Sequence, residues 1–319
     1  VRPISLSIAA VLLGVSPLLA QNAQCAPYQL NAQSYNVCNA AIDGTVLFHP
    51  VVGMLVSGGN PVLGTARTLG GLPHFSVTLR VNGSEVVTPS LSYDGTTTTV
   101  PAGQKLFAPL PQVDVALGLF KGLPGGLLSV DGLVSAQLLP TNQFDNVTLD
   151  PNATKIGDVG LGLGFGGRVG ILHGHAPVPA VSVSAMYRNI PTITFGNVAS
   201  GDQFQYSVDL HAVNLRAVAG YDLGLLSLAA GLGWDSYTGD ATSTFRDPLT
   251  NTVQPPIAIS LDQDRTMAFG DAALKMGVVK LAAEAGWQFG KTQQLATTFE
   301  QNNPADSRFF ANFGLIFGF

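Results

Sequence analysis

Charge is the scarcest thing in this chain. Of 319 residues only 11% are Asp, Glu, Lys or Arg, against about 25% in a soluble domain. Net charge is -5, so the basic excess that nucleic-acid binding requires is missing. Hydrophobic residues make up 46% of the chain, yet no run approaches the ~18 consecutive apolar residues of a membrane-spanning helix. Cysteine is limited to Cys25 and Cys38, with no histidine between them. That pattern gives no basis for a metal centre, and no cofactor is expected. Of the five histidines, His173 and His175 flank a glycine with no further ligand cluster nearby, and they read as a solvated turn.

What the chain does have is alternation. Strands point successive side chains to opposite faces, and ten segments follow that period. They run from His74 to Asn82, Gln112 to Phe120, Leu128 to Leu138, Asp158 to Phe165, Val181 to Arg188, Phe204 to Tyr221, Leu226 to Trp234, Met267 to Met276, Leu281 to Phe289 and Arg308 to Phe319. The sixth changes phase near Ala212-Val213, which reads as a β-bulge. The eighth is awkward, because Asp271 and Lys275 fall on the same side as Met267 and Phe269. Short connections alternate with long polar ones, as in a membrane barrel. A further hairpin between Gly83 and Leu110 would give twelve strands. The expectation is an all-β, antiparallel transmembrane barrel of about ten strands over residues 73-319. High apolar content without a spanning helix fits lipid-facing strands, and 37 glycines suit crowded sheets.

The final strand is the most specific segment. Alternate residues from Phe309 to Phe319 are apolar and mostly aromatic, an edge that would invite aggregation in a soluble protein. Asn312, Gly314, Phe317 and Phe319 resemble the C-terminal assembly signal of bacterial outer-membrane proteins. That resemblance implies outer-membrane lipid and the barrel-assembly machinery as partners. Tyr187, Trp234, Tyr237 and Trp287 are expected in interfacial girdles.

At the other end, Arg2 precedes an apolar stretch from Ile8 to Ala20, the pattern of a signal peptide cleaved near Ala20. Export permits a disulfide between Cys25 and Cys38, worth about 3 kcal/mol for so short a loop. A lipid anchor on Cys25 is the competing reading, although Asn22-Ala23-Gln24 lacks the small-residue pattern of a lipoprotein site. Residues 21-72 form either a periplasmic extension or a plug in the lumen, with a short helix over Asn31 to Ala41 and a turn at Ser57-Gly58-Gly59-Asn60-Pro61.

Turning the polar side of each strand inward places Asp114, Asp131, Asp158, Asp209 and Glu284 in the lumen. Arg80, Arg188, Arg216, Lys280 and Arg308 face them. The balance argues for structural ion pairs rather than a strong field. Gly160, Gly162 and Gly164 leave one inner wall short of side-chain volume. Ser207, Asp209 and His211 share a strand face, but neighbours on one strand do not assemble a catalytic triad by themselves. No enzyme is expected.

Gly59-Asn60-Pro61, the following barrel and Phe319 together look loosely like the long-chain fatty-acid transporter class. That likeness implies an N-terminal hatch in the lumen and a pocket for hydrophobic substrates. The chain departs from it in having about ten strands where that family has fourteen. The expected function is a passive or gated channel for a small, hydrophobic solute. The alternative is a structural or adhesive barrel with a closed lumen and ligand-binding outer loops.

Overall fold

The computed structural model describes residues 23-124, 126-140, 146-156, 159-174 and 177-318. The expected signal peptide, Asp158, His175 and Phe319 lie outside these residues. Ten antiparallel strands form the wall: β1 (Phe75–Pro89), β2 (Ala102–Phe120), β3 (Ser129–Pro140), β4 (Val159–Leu172), β5 (Ala180–Phe195), β6 (Phe204–Asp222), β7 (Leu226–Phe245), β8 (Ile257–Met276), β9 (Val279–Gln288) and β10 (Arg308–Gly318). Each pairs with its neighbours, and β1 closes the ring on β10 from Ser76↔Gly318 to Ser84↔Phe310. Closure pairs every strand of the ring with two neighbours over part of its length, which is how strands satisfy their backbone groups in lipid. The Gly83 to Leu110 stretch adds no hairpin to the wall. It lengthens β1 and β2 instead, pairing Gly83 with Pro109 and Val87 with Lys105.

Alternation sorts the two faces as a bilayer requires. Val134 on β3 is 55% exposed and Phe165 on β4 is 63% exposed, both pointing outward. On the same strands Asp131, Ser135, Gln137 and Arg168 are buried inside. Trp234 and Trp287 are outward and exposed, but Tyr237 is wholly buried in the lumen and belongs to no girdle.

The lumen is occupied by the N-terminal segment. The helix α1 runs from Ala32–Ser57, 26 residues, about 39 Å at the usual rise per residue. Asn31 caps it by accepting from the Ser34 amide. It is long and apolar enough to cross a bilayer, but most of it is buried inside the protein. The short helix expected over Asn31 to Ala41 is therefore only its first part. The glycines, Asn39, Asp43 and Pro50 that obscured its continuation are tolerated because the wall packs around them. At Gly53, a Cβ would lie 2.6 Å from the Tyr237 ring.

The start of α1 sits among the long loops. Cys25 and Cys38 are disulfide-bonded, Ser34 Oγ donates to Asp247 at 2.6 Å, and Thr297 donates through N–H and hydroxyl to Asp43, both at 2.8 Å. The segment is thus a lumenal plug whose first described residues lie at the end opposite β1's start, and the disulfide leaves no thiol for a lipid anchor.

The plug also explains two irregularities of pattern. β6 keeps one phase from Phe204 to Gly220, and its register with β7 never slips. Tyr206, Val208 and Leu210 face inward because α1 makes the upper lumen apolar. The register shift is on β5, between Ile190 and Ile193, where Pro191 sits. On β8, Met267, Phe269 and Asp271 do share the inner face, the first two packing with Met54 and Ala66 of the plug.

Replacing Val134 by Arg places a charge on the lipid face near mid-strand and is expected to cost about 2–4 kcal/mol of stability. Guanidinium unfolding of protein refolded into vesicles measures it.

Candidate functional site: the plug, its polar belt and the apolar cleft

Below the helix the chain turns at Ser57–Leu69 through a ring of buried polar side chains. The Glu284 carboxylate accepts from the Gly59 amide at 3.1 Å and the Asn60 amide at 2.6 Å. A Cβ at residue 59 would collide with that carboxylate, so the turn needs glycine there. Arg216 donates to the carbonyls of Gly58 at 2.8 Å and Gly59 at 2.9 Å, while pairing with Asp235 at 2.6 Å. Arg80 donates to the Asn60 carbonyl at 2.8 Å and pairs with Asp114 at 2.9 Å. The Asn60 side chain donates to Asp271 at 2.8 Å. Further down, Asp131 accepts from the Leu69 amide at 3.0 Å and from Arg168 at 2.7 Å.

These bonds are the reason the charges tolerate burial. A buried charge is costly unless it is paired and its remaining groups are bonded. Here the loop backbone supplies the second half of that requirement, since carbonyls meet the arginines and amides meet the carboxylates. The belt therefore holds the plug, and the plug completes the belt.

The expected lumenal residues divide accordingly. Arg80, Asp114, Asp131, Arg188, Arg216 and Glu284 are buried inside the barrel. Arg188 bonds Asn214, and its side chain occupies the room beside Gly164 that had looked empty. Lys280 and Arg308 lie half-exposed on the inner face at opposite rims. Asp209 is a correction: it alternates outward on β6, half-exposed, 3.6 Å from His211. Because β6 keeps one phase throughout, the acid opposite Val208 and Leu210 lies on the outer wall rather than in the lumen.

Arg168, Asp235, Arg265 and Asp271 are inward members that the sequence reading passed over. The parity of Trp234 was enough to place Asp235. β4 continues past Phe165 to Leu172, and that continuation carries Arg168. Asn312 faces inward onto Glu284, and a Cβ at Gly314 would press on Arg80 and Leu63. Both thus have lumenal roles in addition to the expected assembly role. On the outer wall, Ser207 Oγ bonds Thr194 and His211 bonds the Tyr187 hydroxyl, so Ser207 and His211 do not bond each other.

Above the belt α1 lies off-centre, packed mainly on β6 and β7. On the other side it leaves a cleft of about 100 Å³. Phe48, Val52, Leu55 and Val56 of the helix form one wall; Leu106, Leu110, Leu139 and Ile193 of the barrel form much of the other. Its lining is almost wholly apolar. The cleft lies beneath a break in the pairing. β2 meets β3 only from Gln112↔Gln137 downward, so among the described residues Ala102–Pro111 has no strand on that side. Pro109 and Pro111, which lack N–H groups, suit such an edge.

No family model and no curated protein matches the chain. Among solved structures, it is similar to the translocator domain of the autotransporter NalP from Neisseria meningitidis, at 12% identity over 86% of this chain and 97% of that one, with a TM-score of 0.41. The outer-membrane protease OmpT from Escherichia coli gives 11% identity, 80% and 100% coverage, and a TM-score of 0.39. The toluene transporter TodX from Pseudomonas putida gives 10%, 83% and 93%, and 0.30.

Asp131→Ala removes the carboxylate that Arg168 and the Leu69 amide share and is expected to destabilise by about 3–5 kcal/mol. Asp131→Asn, which keeps an acceptor, should lose less. Denaturant midpoints of the two variants against the parent give the comparison.

Proposed function

We propose that this protein is an outer-membrane conduit for small apolar solutes, with residues 23-72 as its plug and the cleft beside α1 as its binding site. The observation that carries the reading is the apolar cleft itself. A concave site lined by hydrophobic side chains, with polar groups close by, is the usual form of a small-molecule site. The apolar outer band supports residence in a bilayer. Export by the N-terminal signal and handling by the barrel-assembly machinery through Asn312, Gly314, Phe317 and Phe319 complete the proposal. No catalytic step is part of it.

A solute enters at the long-loop end and sheds water against Phe48 and Leu106. Its onward path is barred by the belt, so passage requires the Ser57–Leu69 turn to let go of Glu284, Arg216 and Arg80. Deleting residues 23-72 should raise single-channel conductance in planar bilayers several-fold, and unchanged conductance would count against the plug. In binding assays with a solvatochromic naphthalene dye, Leu106→Asp should weaken uptake at least tenfold. The competing reading is a structural or adhesive barrel with a closed lumen. It would gain if the dye failed to bind and the plugless barrel stayed silent while the long loops bound a surface ligand.

A further inference from the structure

On the far side of α1 from the apolar cleft, a much smaller one of about 10 Å³, room for one water, opens between Leu47, Pro50 and residues of β8, β9 and β10. Two guanidinium groups face it, from Arg265 on β8 and Arg308 on β10. Arg265 is 95% buried, as its 5% exposure shows, and among the described residues its one side-chain hydrogen bond is from Nη1 to the Asp264 carbonyl at 2.9 Å. The Asp264 carboxylate is engaged elsewhere, by Lys291 on the outer face. Arg308 donates to Asn302 and makes no ion pair among the described residues. Asp306 also lines the cleft, yet it lies beyond ion-pair distance of both arginines, and its hydrogen-bond partner is Asn303 at 3.4 Å. Gln288 spends its amide on Tyr237 at 2.8 Å and on Asp235 at 3.5 Å.

Burial without an anionic partner is costly for a guanidinium. Elsewhere in the lumen Arg80, Arg168 and Arg216 each have a carboxylate, and Arg188 is bonded to Asn214, which in turn bonds Asp235. Among the described residues Arg265 has no such carboxylate, and the cleft that it and Arg308 line has room for one water-sized group, about the size of a single carboxylate or phosphate oxygen. Guanidinium forks match carboxylate and phosphate oxygens in pairs.

We propose that Arg265 and Arg308 form an oxyanion site at the long-loop mouth, taking the carboxylate or phosphate group of a small molecule or amphiphile. The site is separate from the apolar cleft and stands whether or not the conduit reading holds. Both faces of the plug would then be ligand sites, one for apolar matter and one for anionic groups.

The test is a titration of the detergent-solubilised full barrel with inorganic phosphate, read by phosphorus-31 line width, and with labelled acetate, read by carbon-13 line width. Chloride holds the ionic strength constant. Saturable broadening by phosphate alone assigns a phosphate ligand, and by acetate alone a carboxylate. Arg265→Gln and Arg308→Gln should each weaken binding about tenfold, and Arg308→Lys by less. Heat-dependent gel mobility confirms that each variant is folded. If Arg265→Gln does not fold, the two Arg308 variants and the parent titration decide. No saturable broadening of either probe by the parent overturns the proposal, as does full binding by the folded glutamine variants.

Discussion

The belt inside this barrel depends on keeping its charged and polar groups bonded away from water. The lumen is too narrow to leave its arginines and carboxylates hydrated, and the strands alone do not satisfy them. The backbone of Gly58, Gly59 and Asn60 does so, by offering carbonyls to Arg216 and Arg80 and amides to Glu284. The plug is held by polar bonds at one level and by apolar packing at another. The upper level, where Phe48, Tyr206 and Phe195 pack together, excludes water above the belt. Water exclusion in turn strengthens each charged bond below.

This division gives the lumen two media. The belt is specific, because every bond in it names a donor and an acceptor, and displacing the turn leaves several groups unsatisfied at once. The apolar storey is permissive, since hydrophobic contact is non-directional. The gap beside α1 can exist there because no polar group lines it in need of a partner. A gap of the same size at the level of Glu284 and Asp271 would have exposed carboxylates without donors.

Much of the barrel was legible because a strand with one lipid face writes its orientation into every second residue. Val134 against Ser135, or Phe313 against Asn312, can be read directly. The plug blurred that record where it packed on the wall. Tyr206, Val208 and Leu210 looked lipid-facing because they are apolar, and the true slip at Pro191 went unnoticed. Asp209 was misplaced by the same error, since an acid on the outer wall above the lipid band has no signal separating it from a lumenal one. The length of α1 was hidden for a different reason. Asp43, His49 and Pro50 break its apolar run, and only the enclosing wall makes them acceptable. Several of the plug's partners in the belt lie more than 150 residues away in sequence, as Glu284 does from Gly59 and Arg216 from Gly58, and pattern within one segment carries no trace of them.

The chain traverses the barrel's height once as plug before it begins the wall. Gln24 bonds the Ala258 carbonyl beside the long loops, whereas Gly318 pairs with Ser76 at the end of the short turns. Ten strands return the wall to the side from which it started, and the descending plug adds one more passage. An even-stranded barrel thus becomes a polypeptide of odd parity. Across a membrane, its first and last described residues would meet different aqueous compartments, and a disulfide near the first would experience the redox conditions of one while the closing strand experiences those of the other.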